Sequence, residues 1–321
     1  MGDVARRALL AGLVSAPLAA QAAGRRSKAA HDLSHDLTGT WTNAWYTKLE
    51  RPKAFKALVA TPAEAEAFEA PRRALHGAIL SPHDELGQAT SEFPDNGPGL
   101  ARIGGEIRTS WIVDPADGKV PWIKAQWKKL RLDEDSAETD ADTFANVEDR
   151  DTDERCLTAP GGFAPIVNSQ DGNVMSLVLT ADHLVIVAEK NHQVRIVRIG
   201  PPGARLGRGL DLATGHWEGA TLVVENANYR PGVTRIEDGL YLTDQARVVE
   251  RFTRTGPGEI NYRFEVSDPA MFTRAWRGEA VFRRASGRQF EYACHEGNYA
   301  LPSILRAARA AEAAATANGG R

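Results

Sequence analysis

The feature that most constrains the fold of this chain is a series of short hydrophobic segments, separated by turns, in its second half. Apolar and polar residues alternate in them, and valine, isoleucine and aromatic side chains are frequent, as in strands that bury one face. The segments span residues 174–179, 184–189, 193–199, 221–226, 239–243, 246–254, 260–266, 280–284 and 290–294. Closely spaced strands without intervening helices are typical of barrels and sandwiches. The sequence therefore predicts a mainly β fold, either an antiparallel barrel of the lipocalin or calycin kind or a sandwich.

A few short helices accompany these strands. Thr61-Pro62-Ala63-Glu64 has the pattern of a helix N-terminus, with a capping threonine, a proline at the first helical position and a glutamate three residues after the cap. This helix is predicted to end at Glu69, before Pro71. The alanine-rich stretch at 302–315 carries apolar residues at helical spacing. It predicts a C-terminal helix with one face packed on the barrel.

The first residues predict export. Arg6 and Arg7 precede an apolar run without charges, and Ala20-Gln21-Ala22 has the small-x-small form that a signal peptidase cleaves. The run is shorter than the ~20 apolar residues that span a bilayer. We therefore expect residues 1–22 to be removed and the mature protein to be periplasmic, without stable membrane insertion. The arginine pair leaves both the general secretory route and the twin-arginine route open.

The rest of the chain is predicted to form one β-rich domain, 23–321. Its parts are an N-terminal region at 36–130, an acidic mobile segment at 133–153, a barrel core at 155–300 and the C-terminal helix at 302–315. The N-terminal region is expected to hold a strand at 37–46, a long loop at 81–105 and a hairpin made of 107–113 and 120–123. The acidic segment lacks the glycine-punctuated spacing of a calcium loop, so it is interpreted as solvated chain.

Cys156 and Cys294 are the only cysteines. In an oxidising compartment an isolated pair favours one disulfide, which would tie the middle of the chain to the strand predicted at 290–294. The alternative is a reactive thiol at Cys294, beside His295.

Composition and motifs narrow the possible partners. The net charge is −3, and no Lys/Arg cluster is dense enough to bind a phosphate backbone, which argues against nucleic acid. Nucleophile elbows, phosphate loops, dinucleotide fingerprints and Cys-x-x-Cys pairs are absent from the sequence. We therefore expect a small-molecule substrate or ligand and no cofactor.

Polar residues embedded in apolar strands are the candidates for chemistry. Glu189, His192 and Arg195 cluster around one predicted turn, and His295 and Glu296 follow the last predicted strand. A histidine could act as general base, a glutamate as its orienter or as proton donor, and Arg195 could stabilise developing negative charge. A metal site built from the two histidines and nearby carboxylates is a chemically possible variant.

Further residues are predicted to bind the substrate through amide groups or aromatic rings. They are Asn226, Asn228, Trp217, Trp276, Asn298 and Tyr299. The alternative for each charged residue is a structural role in an interstrand ion pair, with Glu250 and Arg251 finding partners across the sheet.

The order of several motifs resembles a large family of uncharacterised secreted proteins from proteobacteria and acidobacteria. These motifs are Arg108–Asp117, Glu154-Arg155-Cys156, His216-Trp217-Glu218-Gly219, Glu250-Arg251-Phe252-Thr253-Arg254 and Tyr292-Ala293-Cys294-His295-Glu296-Gly297-Asn298-Tyr299. The resemblance covers residues 36–310, although the family usually has Asp where this chain has Ala220 and Pro where it has Ala275. It implies export and a shared fold, and it supplies no reaction.

Two functions follow as hypotheses. The first is an exported cofactor-independent enzyme of the lyase, hydratase or isomerase type, acting by acid–base chemistry on a small hydrophobic or phenolic substrate. The second is a lipocalin-like periplasmic binding protein for an apolar ligand, and a third possibility is an envelope interaction protein without a pocket. An enzyme of this kind requires His192 and His295 to converge at a common opening.

Overall fold

The strands that the sequence predicts close into a barrel. The structure, a computed structural model, describes residues 35–79, 97–130, 144, 146–150, 154–157, 163–169, 172–201, 212–227, 229, 233–237 and 240–319. The predicted signal at 1–22, most of the acidic segment, much of the 81–105 loop and Asn228 lie outside this part. All described residues belong to one unit of the chain, 33–321.

Fifteen strands and four helices are described. The strands are β1 (Gly39–Thr42), β2 (Val59–Ala60), β3 (Arg102–Ile103), β4 (Glu106–Arg108), β5 (Ile112–Asp114), β6 (Val174–Leu179), β7 (His183–Ala188), β8 (Val194–Ile199), β9 (Leu212–Glu218), β10 (Thr221–Asn226), β11 (Val233–Glu237), β12 (Leu240–Thr243), β13 (Arg247–Gly256), β14 (Glu259–Ser267) and β15 (Trp276–Arg284). The helices are α1 (Pro62–Ile79), α2 (124–130), α3 (Cys294–Gly297) and α4 (Ala300–Gly319).

Nine strands form the barrel, in the order β1-β6-β7-β8-β9-β10-β13-β14-β15, and the pairing of β15 with β1 closes it. Directions around a closed ring return to their starting value only if the number of antiparallel neighbours is even. A nine-stranded ring therefore needs a parallel pair, and β8–β9 supplies it, with Ile196 beside Leu212. The predicted barrel is confirmed, and β8–β9 is the one parallel pair in its otherwise antiparallel ring.

Several local predictions are corrected. The 290–294 segment is not a strand: the Phe290 N–H bonds to the Glu189 carboxylate instead of to a neighbouring strand, and a helix begins at Cys294. The predicted hairpin is also wrong, because β5 pairs with β15 rather than with 120–123. Within the predicted 239–243 segment, Leu240–Thr243 forms β12, which pairs with β11 outside the barrel. Strand β9 was not predicted.

Helix α1 continues past Glu69 to Ile79 with Pro71 inside it, so the predicted end is wrong. An interior proline removes one helical hydrogen bond. Ion pairs that span Pro71 help to offset this cost: Arg73, which follows the proline, binds the carboxylates of Glu66 and Glu69, which precede it. The C-terminal helix is confirmed as α4, and it half-buries only Leu301, Ile304, Leu305 and Ala308.

Large side chains fill the barrel interior. Alternation along the strands turns every second residue inward, and Trp41, Phe252, Tyr262, Trp276 and Phe282 are each less than 2% exposed. The rings of Tyr262 and Phe282 stack with centroids 4.9 Å apart. Side chains with so little accessible surface pack directly against one another, so this part of the interior is a packed core rather than an empty calyx.

The two ends of the barrel differ. At the closed end, short turns join β6 to β7, β9 to β10 and β13 to β14. Trp41 covers this end, with the Arg254 and Arg284 guanidinium groups 5.4 and 4.6 Å from its ring centre. We call the other end the mouth: β6, β8, β9, β13 and β15 begin there, and β1, β7, β10 and β14 end there.

The N-terminal region packs against the outside of the barrel at β15. The Trp45 indole N–H donates to the carbonyl of Val281 at 2.9 Å, and Arg108 pairs with Glu279 at 2.9 Å. Strands β2, β4 and β3 form a small separate sheet there.

Across the described chain, we find no helix with the length and apolar character needed to cross a bilayer.

Candidate functional site

Glu250 is the centre of a buried polar cluster inside the barrel. Its carboxylate is fully buried and accepts hydrogen bonds from Arg195 Nη2 at 3.0 Å, Asn226 Nδ2 at 2.8 Å and the Tyr262 hydroxyl at 2.7 Å. Arg195 Nη1 lies 2.9 Å from its second oxygen. These donors replace the hydrogen bonds to water that the carboxylate loses when it is buried.

The strand register explains why these residues meet. Asn226 ends β10 beside Val248, and Glu250 lies two residues further along β13, next to Val224. Since Val248 and Phe252 are inward-facing, alternation turns Glu250 inward as well. Arg195 lies near the start of β8, so its side chain enters the barrel at the mouth and crosses the interior to β13.

Burial and charge together set the protonation of the cluster. Burial alone would lower the pKa of Arg195, but Glu250 and the two nearby tyrosines raise it above its ordinary value. Burial, followed by the negative charge of Glu250, raises the pKa of Tyr262 well above 10 and raises that of Tyr229 as well. Both tyrosines therefore remain protonated hydrogen-bond donors at neutral pH.

Two buried groups in this region carry N–H donors without an acceptor among the described residues. They are the Arg195 guanidinium, at Nε, and the Trp276 indole. The Trp276 ring lies edge-on to Phe264 and Phe272, at 87° and 90°, so its N–H can point at an aromatic face. Arg195 has no such substitute. A buried donor without a partner requires an explanation, such as a ligand or an ordered water.

Aromatic residues surround the mouth. The Tyr229 hydroxyl donates to the carbonyl of Ala164 at 2.7 Å, and the Ile166 N–H donates to the Tyr262 hydroxyl at 2.8 Å, so the 163–169 segment lies over the cluster. Trp122, which precedes α2, stacks on Trp127 with centroids 4.9 Å apart. It also contacts Phe272, whose ring packs on Trp276.

The other predicted catalytic residues lie outside the barrel. Glu189 follows β7 at the mouth, and its carboxylate accepts the Phe290 N–H at 2.7 Å. His192 is exposed in the β7–β8 connection, with a left-handed backbone (φ 49°). His295 and Glu296 are exposed on α3. The structure thus joins the two predicted stretches through Glu189 and Phe290, while Arg195 faces the interior.

The predicted substrate-binding residues divide in the same way. Asn226 is part of the cluster and Trp276 is near it. Trp217 lies at the closed end, against the ring of His35 at 4.7 Å, so it is remote from the mouth. Asn298 donates to the carbonyl of Glu154 at 2.6 Å, and Tyr299 is 79% exposed.

The disulfide prediction is confirmed. Cys156 and Cys294 are bonded, with Cα atoms 5.8 Å apart and a sequence separation of 138. The alternative of a reactive thiol is therefore wrong for this state. The Asn298 amide also lies 3.5 Å from Cys156 Sγ, which ties α3 to the 154–157 segment a second time.

Glu250, Tyr262 and Tyr229 are not among the site residues that the sequence predicts. The sequence predicts that Glu250 pairs with a residue across the sheet. Glu250 does form an ion pair, but its partner is Arg195, which lies three strands away and reaches Glu250 through the interior. An acid at an inward position between Val248 and Phe252 is the signal that could have identified it. Within the described ranges, no group of three or more His, Cys, Asp and Glu side chains is arranged to hold a metal ion.

No family model, curated protein or solved structure matches this chain.

Proposed function

We propose that this chain is an exported β-barrel protein that binds a small organic molecule at the mouth, with Arg195 as the main polar contact. The observation that carries the proposal is the buried Arg195 guanidinium, which pairs with Glu250 through both terminal nitrogens and whose Nε atom has no hydrogen-bond acceptor in the described structure. Leaving a buried donor unpaired costs about 1–3 kcal/mol, which an oxygen atom of a bound molecule would recover.

The packed interior decides where such a ligand lies. Because Trp41, Phe252 and Phe282 occupy the barrel core, a ligand cannot fill the barrel as it fills a deep calyx. The half-buried rings of Trp122, Trp127 and Tyr229 supply apolar contact area at the mouth instead. Aromatic walls with a few convergent polar groups are typical of small-molecule sites.

Binding is favoured over catalysis because the candidate acid–base residues are dispersed. His192 and His295 are exposed outside the barrel, whereas Arg195 and Glu250 neutralise one another inside it. A lyase, hydratase or isomerase remains the second candidate. The contact between Glu189 and Phe290 supports it, because this contact joins the two predicted catalytic stretches beside the mouth.

The periplasm is the proposed location. The arginine pair and apolar run at the N-terminus, the Cys156–Cys294 disulfide and the resemblance to secreted proteins all support export, since disulfides persist in oxidising compartments. Mass measurement of the protein recovered from the periplasm tests this directly. A chain beginning near residue 23 is expected, and an uncleaved cytoplasmic chain would contradict the proposal.

The binding proposal is tested with a panel of small aromatic and terpenoid compounds. Binders should raise the melting temperature of the purified, disulfide-bonded protein and appear as single adducts in native mass spectrometry. The variant Arg195→Met/Glu250→Gln removes both charges together and should lose these adducts. The matched control Arg251→Met/Glu218→Gln removes an exposed ion pair on the outer face and should keep them. If no compound binds, or if both variants bind equally, the mouth is not the site.

The enzymatic candidate has a separate test. Product formation from the same panel, followed by mass, should disappear in Glu189→Gln and His295→Ala if these residues carry acid–base chemistry. Turnover that survives both changes excludes them as catalytic residues.

A further inference from the structure

We propose that the Arg195 site selects an uncharged ligand that carries a carbonyl-type oxygen on an apolar body, such as a ketone, ester, lactone or quinone, and rejects carboxylates. This inference rests on the proposed binding function and specifies the chemical class of its ligand.

The donor supply at Arg195 sets the first requirement. A guanidinium has five N–H groups and no acceptor. The described structure pairs Nη1 and Nη2 of Arg195 with the two carboxylate oxygens of Glu250 and leaves Nε without an acceptor. A partner for this group must therefore accept hydrogen bonds. A hydrocarbon has no acceptor atom, and the N–H groups of an amine only donate hydrogen bonds.

Charge balance sets the second requirement. The positive charge of Arg195 is already opposed by the Glu250 carboxylate, 2.9 Å away, and both side chains are buried. A second carboxylate on the guanidinium would lose its own water and would also face Glu250 at close range. Desolvation of an ion is costly, and a guanidinium already paired with one anion offsets little of that cost. A carbonyl oxygen accepts the same hydrogen bonds at a far smaller cost of desolvation.

The pKa shifts of Tyr229 and Tyr262 indicate the same opposition to a further negative charge. At the Tyr229 and Tyr262 hydroxyls, the negative charge of Glu250 acts more strongly than the positive charge of Arg195, and it raises the pKa of both groups in addition to burial. At these two hydroxyls the cluster therefore opposes a further negative charge.

The surroundings set the third requirement, an apolar body. Trp122, Trp127 and Phe272 form a continuous aromatic contact that leads to Trp276. Flat aromatic surfaces of this kind favour planar or ring-containing molecules through offset stacking and edge-to-face contact. The closest simple match is a bicyclic aromatic ketone.

Three probes with one skeleton test the inference: 2-acetylnaphthalene, 2-ethylnaphthalene and 2-naphthoate. Their dissociation constants are measured at neutral pH by quenching of tryptophan fluorescence, with calorimetry as the second readout. The ketone should bind at least about tenfold more tightly than the hydrocarbon, because only the ketone satisfies a buried donor. It should exceed the carboxylate by a similar factor.

Each alternative result has a distinct meaning. Equal or tighter binding of 2-naphthoate overturns the proposed ligand class while leaving the binding function intact. Equal binding of the ketone and the hydrocarbon shows that the carbonyl oxygen gains no hydrogen bond from Arg195, and it overturns this inference as well. Failure of all three probes, together with failure of the wider panel, overturns the proposed function itself.

The variant arm connects the preference to the residues. In Arg195→Met/Glu250→Gln, the advantage of the ketone over the hydrocarbon should fall to less than about twofold, since the Nε donor is gone. The Arg251→Met/Glu218→Gln control should keep the wild-type ratio. A preference that survives in the first variant would assign it to another part of the surface.

Discussion

Arg195 and Glu250 pair through the interior of the barrel at 2.9 and 3.0 Å, although the strands that carry them, β8 and β13, are separated by β9 and β10 in the sheet. The pair therefore links opposite walls of the barrel. Such a link acts on stability and on the shape of the mouth at once, because Arg195 enters the barrel at the mouth.

Removing one partner of this pair should destabilise the protein strongly. Glu250→Gln or Arg195→Met leaves a buried charge unpaired, and the free energy of unfolding should fall by about 3–5 kcal/mol. The double variant should lose less than the sum of the two, because both charges are gone. Urea unfolding followed by circular dichroism measures these values.

The exposed Arg251–Glu218 pair serves as the control, and Arg251→Met should change stability by no more than about 1 kcal/mol. The expectation fails if Glu250→Gln is as stable as this control.

Tyr262→Phe should cost about 1–3 kcal/mol of unfolding free energy. The change removes the hydroxyl that donates to Glu250 and accepts the Ile166 N–H, so it leaves a buried backbone donor without its partner. Tyr299→Phe is the matched control, because Tyr299 is 79% exposed. Equal melting temperatures for the two variants would show that the Tyr262 hydroxyl contributes nothing to stability.

Stability should decrease at alkaline pH. The pKa values of Tyr229 and Tyr262 are raised in the folded protein, whereas tyrosines in the unfolded chain ionise near pH 10. Above about pH 10 the unfolded state therefore releases protons that the folded state retains. The contribution of the two tyrosines to the free energy of unfolding is intact below about pH 10 and is lost progressively above it.

Absorbance at 295 nm should show two of the six tyrosines ionising only as the protein unfolds. In Tyr262→Phe the slope of stability against pH above 10 should be smaller. An unchanged slope together with six tyrosines titrating before unfolding would contradict the burial of this cluster.

Loss of the disulfide should weaken the attachment of the C-terminal helix. Cys156→Ser/Cys294→Ser removes a cross-link between positions 138 apart, which the chain-entropy treatment values at about 4–5 kcal/mol, usually less in practice. Limited proteolysis should cut the variant in α4 before it cuts the barrel. Asn298→Ala, which keeps the disulfide, should be intermediate, and identical cleavage patterns in all three proteins would exclude a tethering role.

Alternation of apolar residues is sufficient to predict most barrel strands, because strands that bury one face repeat every two residues. It does not predict strand β9, since Gly215 and His216 interrupt the apolar pattern there. The 290–294 segment has strand-like composition, yet its backbone is engaged by the Glu189 side chain, a tertiary contact that composition does not reveal.

The site is harder to predict than the fold. Alternation shows that Glu250 turns inward, but only the order of strands around the ring places Arg195 across from it. The same limit applies to Trp217, whose strand ends at the closed end and so carries it away from the mouth. Local pattern indicates which side of a strand is buried, whereas the partners of a buried charge depend on long-range topology.

The junction of Trp41 with Arg284 has a consequence for biogenesis. The first strand of the barrel finds its last neighbour only after almost the entire polypeptide has emerged, so ring closure is a late, non-local event. Until then β1 and β14 present unpaired hydrogen-bonding edges, the kind of surface that recruits other chains into aggregates. A truncation that stops before Trp276 should therefore accumulate as insoluble material rather than as a smaller barrel.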